Sequence, residues 1–470
     1  MKNKKNNIIT IAVSALSACA IMAAAFSIKG AIHLKASADT FCNHEGHHYA
    51  ELAPTATTTG HREFWTCCKC SRQFLAQPRT GHFTDHSEDE MIGEVTSSHI
   101  AYLGTVSVWD GSHTSAPGNG SGTETDPYLI ESAAELSYYA IKFNQVDSTT
   151  HQHLNQLYLK HYKLMTDIDL DNRAWTQMGN SKYATFQGVF DGNGHNIINL
   201  NRSAGICYGG LFGYVADAEI RNLNVSGTVT GASNSWMDGL LVGVMEKSII
   251  ENCQTFGSIT SGTNSTGGIV GKVNDPNPNE EIVVISNHTE SKILNCTNYA
   301  SVNLTAPTAY PNGSAGGIVG ELANTENITI KDCINYGTVS GGTACGGILG
   351  KGLETSHTVL IQNCINVGNI AGADLSAGIV GIYRKAANAS ITSCENYGDI
   401  SVTDSNKRAA GLVGILRCTV SNCMVGSDVT VCGTKVSDSK PTGVNGAYVF
   451  QIDSANGGAA SGNSIVDPKY

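Results

Sequence analysis

Charge is scarce in this chain. Only 15% of its 470 residues are Asp, Glu, Lys or Arg, and 40 acidic residues outnumber 29 basic ones. A net charge of −11 offers no attraction to nucleic acid or to anionic membrane surfaces, so both are excluded as partners of the folded chain. Proline is also sparse, at 10 residues against 52 glycines. Long amphipathic helical stretches are nearly absent, while small and β-branched residues dominate the C-terminal half. That combination excludes a helical bundle and leaves all-β as the natural class. No His-Glu-x-x-His run is present, which removes the helical signature of a catalytic zinc.

What the chain does contain is a repeat. The clearest copies are Gly267-Gly268-Ile269-Val270-Gly271, Gly316 to Gly320, Gly346 to Gly350, Ala377 to Gly381 and Ala410 to Gly414, with looser copies ending at Gly213 and Gly243. The closing glycines lie 30, 28, 49, 30, 31 and 33 residues apart. A period of that size marks stacked units that bury their apolar faces only against their neighbours. A second pattern follows each motif: a residue, usually Cys, and Val or Ile six positions later. The pairs are Leu223/Val229, Cys253/Ile259, Cys296/Val302, Cys333/Val339, Cys364/Ile370, Cys394/Ile400 and Cys423/Val429. Six is even, so both members of a pair point to one side of a strand. The other parity varies freely, as in Ile334, Tyr336 and Thr338 against Glu395, Tyr397 and Asp399, so the constant side is expected inside. Stacking these strands in parallel register, about 4.8 Å apart, gives a β-solenoid. Asn298, Asn335, Asn366 and Asn396 stand two residues after the Cys and are placed to form a hydrogen-bonded ladder. The ladder cysteines have parallel Cβ vectors, which is poor disulfide geometry, and read as small buried hydrophobes.

The N-terminus carries a targeting segment. Lys2, Lys4 and Lys5 precede a mostly apolar run from Ile8 to Ile28, and Ala36-Ser37-Ala38 forms a small-x-small cleavage site. Cleavage after residue 38 would remove five Lys and move the net charge from −11 to −16. Two other readings stay open: lipidation at Cys19 within Leu16-Ser17-Ala18-Cys19, and retention of the apolar run as a membrane span. Each of the three puts the remainder outside the cytoplasm, secreted or at the cell surface, with membrane contact only if the segment is retained or lipidated. No Leu-Pro-x-Thr-Gly wall-sorting signal occurs near Val466-Asp467-Pro468-Lys469-Tyr470. Any retention at a surface is therefore expected to fall to the N-terminus or to a bound partner.

Residues 39–90 are rich in Cys and His. Cys67-x-x-Cys70 has knuckle spacing, and Cys42 with one of His44, His48 or His82 would complete four ligands for a structural zinc. A disulfide from Cys42 to Cys67, Cys68 or Cys70, or free thiols, is the alternative. A linker over 91–125 ends in Gly118-Asn119-Gly120-Ser121-Gly122. Ser132-Ala133-Ala134-Glu135 reads as a capping box opening one helix over about 132–144, with Leu136, Tyr139, Ala140 and Phe143 on one side. That helix is expected to cover the open N-terminal end of the solenoid. Asp167, Asp169 and Asp171 alternate in a strand candidate from Tyr162 to Leu170 and would share one face, as calcium ligands or as a solvated surface. Asp191-Gly192-Asn193-Gly194 reads as a tight turn between two strands. The 49-residue interval holds an inserted loop from Asn274 to Lys292. Coils run through 126–432, and 433–470 is expected to be a terminal cap and tail.

The order of these segments resembles the GLUG-motif surface proteins of bacteria. Gly122-Thr123-Glu124-Thr125-Asp126-Pro127-Tyr128-Leu129-Ile130 comes first. Asp167-Ile168-Asp169-Leu170, Trp175, Phe190-Asp191-Gly192-Asn193-Gly194-His195, Gly210-Leu211-Phe212-Gly213 and the Gly-Gly-Ile-Val-Gly series follow. The resemblance covers about 120–432 and implies a right-handed parallel β-helix with a display or binding role; it carries no catalytic residue. The N-terminal run Cys42-Asn43-His44, Ala56-Thr57, Gly60, Trp65, Cys67 to Cys70, Phe74 and Gly81-His82 resembles small zinc-ribbon-like repeats on secreted proteins of Gram-positive gut bacteria. It departs from them at Thr58, where Cys is common, and in its extra Cys68.

Three functions compete. The first is a non-enzymatic, adhesin-like binding protein displaying its β-helix to a polysaccharide or a host or surface protein. Tyr299, Tyr336 and Tyr397 are expected to stack in register as an exposed aromatic strip for sugar rings or protein, or simply to brace the outer face. The second is a polysaccharide lyase or glycoside hydrolase on the same scaffold. A glycosidase needs two carboxylates around one bond, yet the chain has no adjacent Asp-Asp pair, no Gly-His-Gly and no Arg-Ile-Lys. Asp167, Asp169 and Asp171 with Lys163 are the one faint candidate for a lyase. The third is a nucleophilic enzyme built on His195 or Cys345, which no spacing ties together.

Overall fold

The computed structural model describes residues 106–203, 208–231, 237–262, 264–273, 288–305, 313–323, 327–353, 357–383, 388–403, 408–416, 418–436, 450–452 and 459–466. It also describes the backbone of three short strands nearer the N-terminus. It is an all-β parallel β-solenoid of about nine turns with very little helix.

One turn shows the plan. Ser314–Gly316 leads through Gly317 and Ile318 into Val319–Leu322, then Asn327–Lys331, then Ile334–Asn335 and Val339–Ser340, before Ala344–Gly346 starts the next turn. Each strand pairs in parallel with its counterpart one period on, as in Ser314↔Ala344, Val319↔Leu349, Ile328↔Val359, Ile334↔Ile365 and Val339↔Ile370. Four sheets result. Sheet I has eleven strands, from Tyr128–Ile130 to Ala459–Ser461. Sheet II runs on the far side of an Asn corner and is bent in the middle. Sheet III has seven short strands, from Tyr208–Gly209 to Arg408–Ala410, and sheet IV has eight, from Phe212–Ala216 to Phe450–Ile452.

Apolar rows run inside along the axis. Val270, Val319, Leu349, Val380 and Val413 form one, and Ile293, Ile330, Ile361, Ile391 and Val420 another, all at most 1% exposed. Full burial of each such side chain stabilises by about 2 kcal/mol. The paired positions six apart are both inside: Cys296 with Val302 and Cys333 with Val339 are each fully buried. All six column cysteines are buried and free. Their thiols also bond: Cys296 Sγ donates to Leu294 O at 3.2 Å, and Cys333 Sγ to Lys331 O at 3.3 Å. Burial pushes the Cys296 and Cys364 thiols well up.

The Asn column forms an interior ladder. Asn298 Nδ2 donates to Asn335 Oδ1 at 2.8 Å, Asn335 to Asn366 at 2.8 Å, and Asn366 to Asn396 at 2.7 Å. Asn298 also donates to Ala300 O and accepts from Ala300 N and Thr255 Oγ1, so both donors and both lone-pair directions are used. The same contacts fold the strand back at residues 299–300, which is the bend in sheet II. The motif glycines make room for this. A methyl group on Gly317 would stand 2.1 Å from the Gly347 carbonyl oxygen and 2.2 Å from Asn335 Cγ. One on the closing Gly350 would stand 2.6 Å from Gly320 O and 2.7 Å from Ala315 O, because sheets III and IV back onto one another there.

A second column went unnoticed in the sequence. The residue just before each ladder Cys is Asn252, Asn295, Asp332, Asn363, Ser393 or Asn422, with Asn222 before Leu223; all have φ between 50° and 55°. This left-handed corner turns sheet I into sheet II, and Asn and Asp tolerate it better than other residues with a Cβ. Their amides bond along the outside: Asn252 to Asn222 at 3.2 Å, Asn295 to Asn252 at 2.6 Å, Asn363 to Asp332 at 3.0 Å.

The helix is Ala133–Phe143. Ser132 is its N-cap, and Glu135 completes the capping box. Leu136, Tyr139, Ala140 and Phe143 are buried, and Phe143 meets Phe186 at 5.1 Å in the core of the first coils. Several boundaries differ from the sequence reading. Asp191 to Gly194 is a corner between sheets I and II and not a hairpin, since Val189–Asp191 and Asn196–Arg202 pair with other coils. Glu290–Leu294 belongs to sheet I, so the 274–292 insertion ends before it. Ser107–Val108, in the expected linker, pairs with Ile168–Asp169, and Trp109 packs edge-on against Trp175 at 5.4 Å. Ala459–Ser461 and Ser464–Val466 extend sheets I and II past the expected end of the coils.

Deleting 351–381 joins Gly350 to Ile382, which occupies the register position of Lys351. The shortened chain is expected to keep its β-type circular dichroism and a cooperative melt; complete unfolding would show that the coils do not stack as separable units. Asn366→Ala strands the Asn335 and Asn396 amides and the Gly368 carbonyl, and is expected to cost about 3 kcal/mol in urea unfolding. A loss below about 1 kcal/mol would mean that the ladder bonds contribute little.

Candidate functional site

The aromatic row lies on the outer side of sheet II, just before its bend. Phe256 and Tyr299 stack at 4.7 Å between ring centroids and 4° between planes, and Tyr299 and Tyr336 at 4.9 Å and 5°. Two corrections follow. The row is half-buried rather than exposed, because the rings cover one another. Its order is Phe256, Tyr299, Tyr336, then Val367, then Tyr397: Val367 N bonds Asn335 O, and Tyr397 N bonds Asn366 O, so Val367 separates the last two tyrosines. Tyr397 bonds the Glu395 carboxylate through its hydroxyl. Burial between its neighbours raises the Tyr299 phenol above its ordinary range. Rings this close cannot lie side by side in one plane, so they offer rims to solvent and keep their faces for one another. Phe256 could have been found from its place three residues after Cys253, the spacing of Tyr299 from Cys296.

The three aspartates do not share a face. The chain turns between Leu164 and Ile168, and Asp167 points inward, fully buried. Its carboxylate lies 3.1 Å from His195 Nδ1 and accepts from Asn196 N and Nδ2, both at 2.9 Å. Asp169 accepts from Asn199 Nδ2 at 2.9 Å, and Asp171 pairs with Arg173 at 3.0 Å on the surface. The calcium reading and the lyase candidate built on a common face therefore fail. His195 is committed to Asp167, and Cys345 is buried in another coil, where its thiol is pushed up to about 12 and donates to Gly342 O.

A charged cluster missed in the sequence lies where sheets III and IV face each other outside the lumen. Glu321 receives Lys272 Nζ at 3.1 Å and Lys351 Nζ at 3.3 Å, with Ser265 Oγ at 3.2 Å, and its side chain is only 8% exposed. Burial works to raise the Glu321 carboxyl, but the two ammonium groups and their hydrogen bonds outweigh it and hold it below its ordinary value. Toward the N-terminal end Tyr214, Ala216 and Val244 form a small apolar core separate from the lumen, flanked by Tyr208 and Met237, and the Tyr214 hydroxyl bonds the buried Glu246 carboxylate. The residues after the closing glycines read Val244, Lys272, Glu321 and Lys351, a column whose alternating charge was legible but whose burial was not. A further pair, His288 and Asp217, is held at 2.9 Å beside Glu219.

Among the described residues no group of three His, Cys, Asp or Glu side chains is placed to hold a metal ion, and no helix is long and apolar enough to cross a membrane. Of the zinc candidates, Cys42, His44, Cys70 and His82 lie outside the described residues. His48 and Cys67 are described only through their backbones, in the antiparallel strands Gly46–Tyr49 and Phe64–Cys67.

No protein-family model matches the chain. Halomucin of Haloquadratum walsbyi is 28% identical over 216 residues, which is 42% of this chain and 2% of that protein. A candidate Gly-rich membrane protein of Evansella cellulosilytica is 34% identical over 125 residues, 24% of this chain and 13% of that protein. The chain thus matches only a small part of either relative's length. A solved structure, that of a candidate immunoglobulin A1 protease from Bacteroides ovatus, aligns over 73% of this chain and 86% of its own at 18% identity, with a TM-score of 0.45.

Glu321→Gln removes the anion between two largely buried ammonium groups and is expected to cost about 3 kcal/mol at pH 7. A carboxyl held below its unfolded value of about 4.3 contributes stability above that pH and loses it as pH falls through the folded value. The gap between wild type and variant in urea titrations should therefore shrink from pH 7 to pH 3. An equal gap at both would show that the charge is not what stabilises.

Proposed function

We propose that this chain is a non-enzymatic, adhesin-like binding protein of the cell surface or extracellular space, displaying its solenoid to a polysaccharide or to a host or surface protein. The observation that carries the reading is the outer side of sheet II, which repeats the same kinds of polar and aromatic residue coil after coil. Such repetition suits an extended ligand, where a catalytic site needs a unique constellation. The names of the two relatives, a mucin and a membrane protein, support an external setting. Two buried acid groups support the binding reading as well, since Asp167 and Glu321 are engaged in holding coils together.

The test is incubation of the full chain with plant and mucin polysaccharides in the presence of calcium. Retention on at least one polymer without new reducing ends or unsaturated uronates is expected. Release of either product would replace the binding reading with a lyase or glycoside hydrolase.

A further inference from the structure

Charge is distributed very unevenly around the coil. In five successive turns the strands of sheet II and the residues within its bend carry no Asp, Glu, Lys or Arg at all, from Asn224–Thr230 and Gln254–Ser261 through to Ile370–Gly372. The sheet I strands of the same turns carry Glu219, Arg221, Glu251, Glu290, Lys292 and Lys331. Charge returns to sheet II only in the next turn, at Glu395 and Asp399.

We propose that this charge-free side is the docking surface for an uncharged polysaccharide lying along the solenoid axis. The proposal rests on the binding reading above and names the class of ligand. Three features argue for it. First, an acidic polymer finds no cation here to neutralise its carboxylates or sulfates, and a chain of net charge −11 repels it at longer range. Second, Thr228, Ser258, Ser301, Thr338 and Asn369 form one outer row, each hydrogen-bonding side chain repeated once per coil, about 4.8 Å apart. That step is close to the length of one pyranose unit in an extended polymer, so successive sugars meet equivalent partners. A folded protein, with no such period, gains nothing from the repetition. Third, the neighbouring aromatic row presents rims, because Phe256, Tyr299 and Tyr336 stack on one another. It bounds the polar row without needing a sugar face to stack on.

Affinity electrophoresis of the full chain, through gels containing mixed-linkage β-glucan, galactomannan, arabinoxylan, polygalacturonate or hyaluronan, tests this. Retardation by at least one of the three neutral polymers and by neither acidic one is expected. Thr338→Lys, at an exposed row position, should weaken that retention at least five-fold, as should Ser340→Lys on the next row should the first variant melt abnormally. Gln362→Lys on sheet I should leave it unchanged. Retention by an acidic polymer alone, by no polymer, or undiminished in a folded row variant overturns the proposal. So does a dimer in sedimentation that Thr338→Lys dissolves, which would assign the surface to a second copy. Retention of an acidic polymer without products sinks only the ligand class, whereas released products sink the binding role as well.

Discussion

Everything in this molecule depends on one constraint: a residue must sit directly over its counterpart one turn earlier, at the spacing of hydrogen-bonded strands. That spacing leaves room for some stacked pairs and forbids others. Aliphatic rows tolerate it, and so do thiols and flat aromatic rings. The closest approaches admit only glycine. At Gly317 the backbone passes between a neighbouring carbonyl and the Asn335 amide, and at Gly350 two sheets meet backbone to backbone. The five-letter motif is therefore a record of steric limits at two different contacts.

Polar groups inside such a stack need partners that repeat at the same step. The Asn ladder meets this requirement because an amide can donate to the copy above and accept from the copy below, with its remaining valences closing the bend at Ala300. It ends where the pattern ends: Thr255 supplies a hydroxyl at one end, and Asn396 is followed in register by Val425 at the other. The thiols satisfy themselves on carbonyls of their own and the preceding coil. The outer Asn corner uses the same amide logic on the solvent side, with a left-handed backbone as its second reason for being Asn.

The outside of the solenoid is not uniform. Between sheets III and IV the surface closes on itself into a seam, with a small apolar core around Tyr214 and Val244 and an ion cluster at Glu321. On sheet II it stays open and free of charge for five turns. The first arrangement locks coils together, and the second leaves a regular, accessible surface on which a ligand of matching period can lie. Under the binding role proposed above, function would belong to a row of residues more than to any single side chain.

Much of this was legible from residue order. The period near thirty aligned Cys296, Cys333 and Cys364, and with them Asn298, Asn335 and Asn366, so inner and outer positions followed from parity alone. Ser132 and Glu135 likewise marked the helix start. Where the reading depended on local alternation across a corner it failed: Asp167, Asp169 and Asp171 look equivalent in the sequence, but the turn after Leu164 sends the first inward. Tyr397 fell out of the expected stack because Val367 intervenes in the register. Lys272, Glu321 and Lys351 fall in one column through the same period, in register on successive coils, but the burial of that cluster lay beyond reach, since it arises only when two sheets fold back on one another. Sequence by itself determined the repeat and which side of each strand faces in, because those follow from spacing along one chain. Tertiary structure alone decided which outer faces are buried against each other and which remain open, because that depends on the angles at the corners between sheets, where glycine and left-handed Asn set the path of the backbone.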